Sequence, residues 1–314
     1  MTALAVLLTP LAVPRAGVAQ TGGVGASECC LTMLFPVGGR ALALGGALTA
    51  RGAADGLFTN PAAIASLAAG ELRIHNGRSD IENATSVTAL FRVRRAGTLG
   101  VSFRTVDNGD IETSDNQGNP TGVLHVADQA FYATFATEVR RGVRAGVTYN
   151  LYDCAGACGQ PAFKAMTHAV DFGVQVQPQS VPYLELGAAV NHAGLRLQVN
   201  NADQAALTPA RVKVGGAYEL GHLFSKDSTT TLWASLDGTG SWHEGIDPQI
   251  GTGLELSLDR TLFLRGGLSS GTGRGTGTAL GVGFIYERFD VSIAKSFVSA
   301  DEDPPIQVTF AIRF

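Results

Sequence analysis

The chain has 314 residues, the size of one or two ordinary domains or of a single large barrel. Its net charge of −4 provides no basic surface for nucleic acid, and charged residues make up only 16% of the chain. Forty glycines combined with 45% hydrophobic residues favour a β protein with a large lipid-facing or core-facing surface, and they argue against a disordered chain.

Residues 1–19 resemble an export signal. The apolar run "ALAVLLTPLAV" is followed by the small residues of "AGVAQ", which predict a signal peptide cleaved near Ala19. The usual positive segment is missing, because Arg15 follows the apolar run, so the true start codon stays open. A short buried helix is the alternative, and Pro10 and Pro14 disfavour it.

Four cysteines fit an exported protein with one or two disulfides. Cys154 and Cys158, in "DCAGACG", are predicted to form a bridge that closes a small loop. Metal binding by this pair is the rival, and it lacks a neighbouring histidine and a second ligand pair. Cys29 and Cys30 pair with each other or with another chain, and the sequence leaves this open.

Residues 20–70 are predicted to form an N-terminal periplasmic segment and plug. Alanine-rich stretches at 41–54 and 61–69 predict two short helices, the second with an Asn60 N-cap and Pro61 at its first position. Neither is long or apolar enough to cross a membrane. A phosphate-binding loop at Gly45-Gly46 is the rival, but the preceding strand, the GxGxxG spacing and the P-loop lysine are absent.

Residues 71–314 alternate apolar and polar side chains with period two, which predicts strands that are apolar on one side only. No other segment reaches the roughly 18 apolar residues of a membrane-spanning helix. We therefore predict an all-β fold, a transmembrane antiparallel β-barrel of about 14 strands with a short N-terminal helical plug. The predicted strands lie near 71–78, 84–94, 97–106, 125–139, 142–153, 164–177, 182–192, 209–220, 229–238, 246–258, 261–270, 276–286, 288–297 and 305–314.

The connections alternate between tight turns and longer polar or glycine-rich loops. Outer-membrane barrels show this alternation, with the tight turns in the periplasm. An even strand number then puts both chain ends on the periplasmic side. A soluble barrel or double sandwich is the alternative, but fourteen strands enclose a ring too wide for side chains to fill. The pattern predicts the outer membrane of a diderm bacterium, with the lipid bilayer as a partner.

The segment from residue 39 to 62 resembles the start of the PorV/PorQ proteins, outer-membrane barrels related to the FadL fatty acid transporters. It carries G-R-A-x-x-x-G-G-A-x-T-A with Gly45 and Gly46, an acidic Asp55, and the "NPA" of Asn60 and Pro61. The likeness extends over residues 37–314. It implies a fourteen-stranded barrel with a plug or hatch at these residues.

The resemblance implies two functions. The first is that of PorV in type IX secretion, binding secreted substrates or partner proteins at the outer loops. The alternative is a FadL-like passive transporter of hydrophobic small molecules, gated by the plug. Polar, glycine-rich outer loops favour protein partners. A purely structural pore or scaffold is a third possibility.

Nothing in the sequence predicts an enzyme, a cofactor or a metal site. No GxSxG or HExxH motif occurs, and the histidines are scattered. In "SWHEGID", Trp242, His243 and Glu244 predict an interaction loop. The outer loop with Asp107, Asp110, Asp115 and Asn116 lacks the spacing of a calcium loop.

Charged residues on the polar side of the strands are predicted to face the lumen, where their mixed signs favour an ion-pair lattice around the plug. They are Arg92, Arg94, Asp128, Glu138, Arg144, Asp171, Glu185, Arg211, Lys213, Glu219, Asp237, Glu255, Arg265 and Asp290.

The last strand, "PPIQVTFAIRF", has Phe310 and Phe314 on its apolar side. In a closed barrel the last strand pairs with the first, so we expect these residues to lie at the closing seam and to act in assembly.

Overall fold

The structure is a computed structural model. It describes residues 28, 30–79, 83–115, 117–155, 164–194, 207–224, 229–242, 248–271, 275–298 and 305–314. The predicted signal peptide, Cys29, Cys158 and the side chain of Cys154 lie outside the described residues and side chains.

Fourteen antiparallel strands form one closed barrel in which each strand pairs with its neighbours in sequence and β14 pairs with β1. This confirms the predicted fold class. The strands are β1 Glu71–Arg78, β2 Asn83–Val93, β3 Gly97–Ser114, β4 Pro120–Arg140, β5 Val143–Ala155, β6 Lys164–Val176, β7 Leu184–Gly194, β8 Arg211–Glu219, β9 Thr231–Ser241, β10 Gln249–Leu258, β11 Leu262–Gly271, β12 Gly275–Tyr286, β13 Phe289–Val298 and β14 Ile306–Arg313.

The barrel is apolar outside and polar inside. In β14 the outward Val308 and Phe310 are 39% and 44% exposed, whereas the inward Thr309 is fully buried. A soluble protein buries its apolar side chains, and this strand does the reverse. The outward face is that of a membrane-spanning barrel, whose strands place lipid-facing and lumen-facing residues alternately.

The two ends of the barrel differ in the length of the connections between strands. Turns at 94–96, 141–142, 259–261 and 287–288 mark the short-turn end. The opposite, long-loop end carries the connections between β1 and β2, β3 and β4, and every second pair thereafter.

The predicted loop between β3 and β4 is mostly strand. These strands have 18 and 21 residues, against 8–13 for the other strands, and pair beyond a bulge at Asp107–Asp110. Asp110 bonds His125, and Thr121 donates to Thr113 across the extension. The polar residues that indicated a loop are thus cross-strand partners in a projecting hairpin.

The N-terminal segment contains one short α-helix, α1 (Gly39–Ala43), and 3-10 turns at Leu31–Leu34, Ala53–Phe58 and Pro61–Ser66. The predicted helix at 41–54 is therefore wrong for most of its length. Gly38, Gly45 and Gly46 all have positive φ and confine α1 to little more than one turn. No helix within the described residues is long and apolar enough to span a membrane.

The closing seam continues past the ends of β1 and β14. Gly70 and Phe314 exchange main-chain hydrogen bonds of 3.1 and 3.0 Å. A Cβ at Gly70 would meet the Phe314 ring at 2.5 Å, and that ring also lies 6.2 Å from the ring of Phe91. Phe314 thus lies at the closing seam, at the short-turn end, and the role of Phe310 and Phe314 in assembly stays a prediction.

Candidate functional site

Residues 30–70, called the plug below, lie inside the barrel. The side chains of Leu44, Leu48, Leu57 and Ile64 are 0–2% exposed, and they face wall strands or other plug residues. Ahead of the plug, Glu28 makes a bidentate ion pair with Arg211, the first residue of β8 at the long-loop end. The N-terminal segment therefore runs the length of the lumen to Gly70 at the short-turn end.

The plug backbone packs directly on glycines of the wall. A Cβ at Gly146 would lie 2.5 Å from the carbonyl carbon of Pro61, and a Cβ at Gly267 would lie 2.5 Å from that of Leu44. Both distances are shorter than real Cβ contacts, so only glycine permits this approach. The other wall glycines in tight contact with the plug are Gly100, Gly173, Gly187, Gly215, Gly251, Gly253 and Gly281.

The side chain of Asn60 connects two segments of the plug to each other and to the barrel wall. Its side chain accepts from the Ala62 N–H at 3.0 Å, which is the predicted N-cap, and Pro61 follows at the first position. Its amide donates to the carbonyl oxygens of Thr49, at 2.8 Å, and Val174, at 3.0 Å. One side chain thus caps a turn, ties two plug segments together and bonds to β6.

Glu255 of β10 is the main ionic anchor of the plug. It accepts from Arg40 at 2.7 Å, Arg51 at 2.7 Å and the wall residue Arg265 at 2.8 Å. Arg51 also stacks over the ring of Trp233 at 4.0 Å. One carboxylate cannot balance three guanidinium charges, and this cluster is therefore sensitive to any loss of Glu255.

Asp55 forms a second anchor with Arg73 of β1, at 2.8 Å, and lies 3.8 Å from Arg40. Burial by itself would raise the pKa of Asp55, but the two guanidinium groups outweigh it, so the pKa lies below its usual range. The third anchor is the wall carboxylate Asp237 of β9, which accepts from the Thr49 N–H at 2.8 Å. The plug is thus held by ion pairs as well as by packing.

Aromatic rings line one side of the plug. Phe58 contacts His75 and Tyr132 edge-on, at centroid distances of 6.4 and 5.2 Å. Tyr132 contacts Tyr152, which in turn contacts His192. This row crosses from β1 to β7 through the plug, and its members are too far apart in sequence for a pattern search to connect them.

Most of the predicted lumen charges do lie inside the barrel. Asp128, Asp171, Arg211, Glu219, Asp237, Glu255 and Arg265 are buried, whereas Arg144, Glu185, Lys213 and Asp290 are half-buried. Arg92 and Glu138 are exposed near the short-turn end, where Arg92 reaches the Ala65 carbonyl. Arg94 is the exception, because β2 ends at Val93 and Arg94 lies in the exposed turn.

The carboxylates of the β3–β4 hairpin contact residues of the same hairpin. Asp115 accepts from the side-chain amide of Asn119 and from the Asn119 and Gln117 N–H groups, which lowers its pKa. Asp107 and Asp110 lie next to His125. Asn116 lies outside the described residues, within which no His, Cys, Asp or Glu group is arranged to hold a metal ion.

The remaining sequence candidates are only partly described. Cys30 is disulfide-bonded; the predicted Cys154–Cys158 bridge stays a prediction. Trp242 is exposed, and His243 and Glu244 lie outside the described residues.

Two solved channel structures have a similar architecture. The toluene transporter TodX of Pseudomonas putida matches with a TM-score of 0.60 and 10% identity, over 92% of this chain and 98% of that chain. The monoaromatic hydrocarbon channel CymD matches with a TM-score of 0.59 and 12% identity, over 88% and 97%. The barrel has the fold of the FadL-like outer-membrane channels.

At 10–12% identity this likeness concerns the FadL-like fold alone. No family model matches the chain, and no curated protein sequence is similar to it. The sequence resemblance to PorV/PorQ is thus supported as far as a FadL-like barrel, and no further.

Sequence reasoning missed the residues that hold the plug in the barrel. Arg40, Arg51 and Arg73 were not singled out, although they carry its ion pairs. The glycines were counted in the sequence, but those that contact the plug were not identified. Lumen-facing glycines at strand centres were the available signal, since a glycine there indicates close approach of another backbone.

Proposed function

We propose that the protein is a plugged outer-membrane channel for the passive transport of hydrophobic small molecules, gated by the movement of the plug. The observation that carries this proposal is a closed 14-strand barrel, apolar outside, whose lumen is threaded by residues 30–70. Its fold is shared with channels whose names specify toluene and monoaromatic hydrocarbons. An apolar solute of that size is therefore the first substrate class to test.

The construction of the plug supports gating. Backbone-to-glycine packing holds the plug closely, but three ionic or polar anchors at Glu255, Asp55 and Asp237 can exchange partners with water. The plug also buries apolar side chains such as Leu57 and Ile64, so its release exposes apolar surface as well as hydrating these anchors. The plug thus combines a close fit with a hydratable attachment.

A secretion role of the PorV type stays a prediction. It is supported by the motif that contains Gly45, Gly46, Asp55, Asn60 and Pro61. The comparisons favour the transport role, because the similar folds belong to hydrocarbon channels.

The test is uptake by a diderm host that lacks its own FadL-like channels. Labelled toluene and a long-chain fatty acid are the apolar probes, and glucose is the polar control. We expect faster uptake of an apolar probe and unchanged uptake of glucose in cells expressing the protein. Equal rates with and without the protein, together with capture of secreted proteins on its outer surface, would instead support the PorV-like role.

Membrane insertion is measured in the same cells. Folded and boiled samples of an inserted barrel migrate differently on a gel, and the protein requires detergent for extraction. A protein that is soluble without detergent would contradict the outer-membrane location itself, independently of the substrate.

A further inference from the structure

Arg104 of β3 is a buried cation without a carboxylate partner. Its side chain is 1% exposed, and it forms no ion pair with any residue that the structure describes. One terminal nitrogen lies 3.4 Å from the Met33 carbonyl oxygen, a weak contact. The guanidinium group also contacts the neutral Tyr132 hydroxyl, and Nε has no hydrogen-bond partner. The other deeply buried arginines of the lumen, such as Arg73 and Arg265, are paired with carboxylates.

A buried charge without a counter-charge is strongly destabilising. An arginine does not escape this cost by losing its proton, because the guanidinium group stays protonated in proteins. A bound anion is the remaining way to balance Arg104.

Arg104 lines a small cavity between wall and plug. The space open to the centre of a water-sized particle is about 10 Å³, so the cavity admits one water molecule or one monatomic ion. His75 of β1, Ser86 of β2 and Gln307 of β14 line the wall side, and Pro36 and Val37 line the plug side. Gln307 is itself occupied, since it bonds Pro36 O and the Gly38 N–H.

We propose that this cavity binds a single monatomic anion, chloride under ordinary conditions, held by the Arg104 guanidinium with Ser86 as a neutral neighbour. The volume excludes polyatomic anions such as phosphate or a carboxylate. A water molecule fits but leaves the charge unbalanced. Because Pro36 and Val37 close one side, the anion joins the β1–β3 wall to the plug.

This site is independent of what the channel transports. It predicts that chloride stabilises the plugged barrel in a saturable way, because a ligand that binds only the folded state adds to its stability.

The first measurement is the structure of the protein crystallised with bromide in place of chloride. We expect an anomalous peak in the cavity, within hydrogen-bond distance of Arg104 Nε. Density that gives no anomalous signal at full bromide substitution identifies a water molecule and would overturn the proposal.

The second measurement is thermal unfolding in detergent, with chloride replaced by gluconate at constant ionic strength. We expect chloride to raise the midpoint of the wild-type protein by about 3 °C, with saturation. Arg104→Gln should abolish this rise. Arg92→Gln is the matched control, because Arg92 also reaches a plug carbonyl, at 3.4 Å from Ala65 O, but does not line the cavity.

Heat-modifiable gel mobility checks that each variant has folded. If Arg104→Gln does not fold, two measurements on the wild-type protein still test the anion site. They are the comparison of chloride with gluconate and the bromide structure. A midpoint that depends on ionic strength but not on chloride would contradict the site.

Discussion

Replacing Gly267 of β11 with alanine tests whether the plug packs on the wall as described. The new Cβ would lie 2.5 Å from Leu44 C, 2.6 Å from Gly45 N and 2.7 Å from Ala43 O. All three are backbone atoms, so no side chain can rotate away, and the plug itself must move. Gly238→Ala is the matched control, since its Cβ would meet nothing closer than 4.0 Å.

The expected magnitude follows from the cost of overpacking. An extra methyl group in a well-packed interior costs about 1–3 kcal/mol. If that cost is removed when the plug moves, the ratio of released to seated plug rises roughly 5- to 150-fold, because about 1.4 kcal/mol corresponds to a factor of ten. The effect applies to the plug, because the barrel ladder on both sides of Gly267 does not change.

The assay is single-channel conductance in a planar bilayer, where a displaced plug admits ions. We expect the fraction of time for which the channel conducts to be about 10- to 100-fold higher in Gly267→Ala than in wild type. Gly238→Ala should behave like wild type. If the two variants conduct alike while both insert normally, the plug does not lie against β11 and the reasoning is refuted.

Other predictions concern the anchors and the seam. Glu255→Gln removes the ion-pair partner of Arg51 and Arg265 and leaves Arg40 with Asp55 alone, at 3.8 Å, so we expect increased conductance. Glu219→Gln removes a wall carboxylate that accepts from the wall residues Gly221 and Leu232, so it should not increase conductance. Because the pKa of Asp55 is lowered, its contribution to holding the plug is present above the usual value of 3.8 and is lost as the pH falls below it. Conductance should therefore rise below pH 3.8 in wild type and already be raised at neutral pH in Asp55→Asn; the same acid response in both would contradict this role. Phe314→Ala removes the ring that packs on Gly70 and Phe91, so the folded fraction after insertion should fall more than it does for Phe310→Ala, as gel mobility would show.

The sequence by itself determined the barrel. Alternation along a strand is a local property, since successive side chains point to opposite faces, so the number of strands and the face of Phe310 were readable without any contact. The same holds for the Asn60 cap, which depends on its bond to the N–H of Ala62, two residues along the chain.

Only the tertiary structure decided how the lumen is filled. Arg40 and Glu255 are 215 residues apart, and Gly267 meets Leu44 only because the barrel closes around the plug. Such pairings depend on strand register and on the path of the plug, which no periodicity encodes. The unpaired charge of Arg104 is equally invisible in the sequence, because an arginine on a lumen-facing position gives no sign of whether a carboxylate lies opposite it.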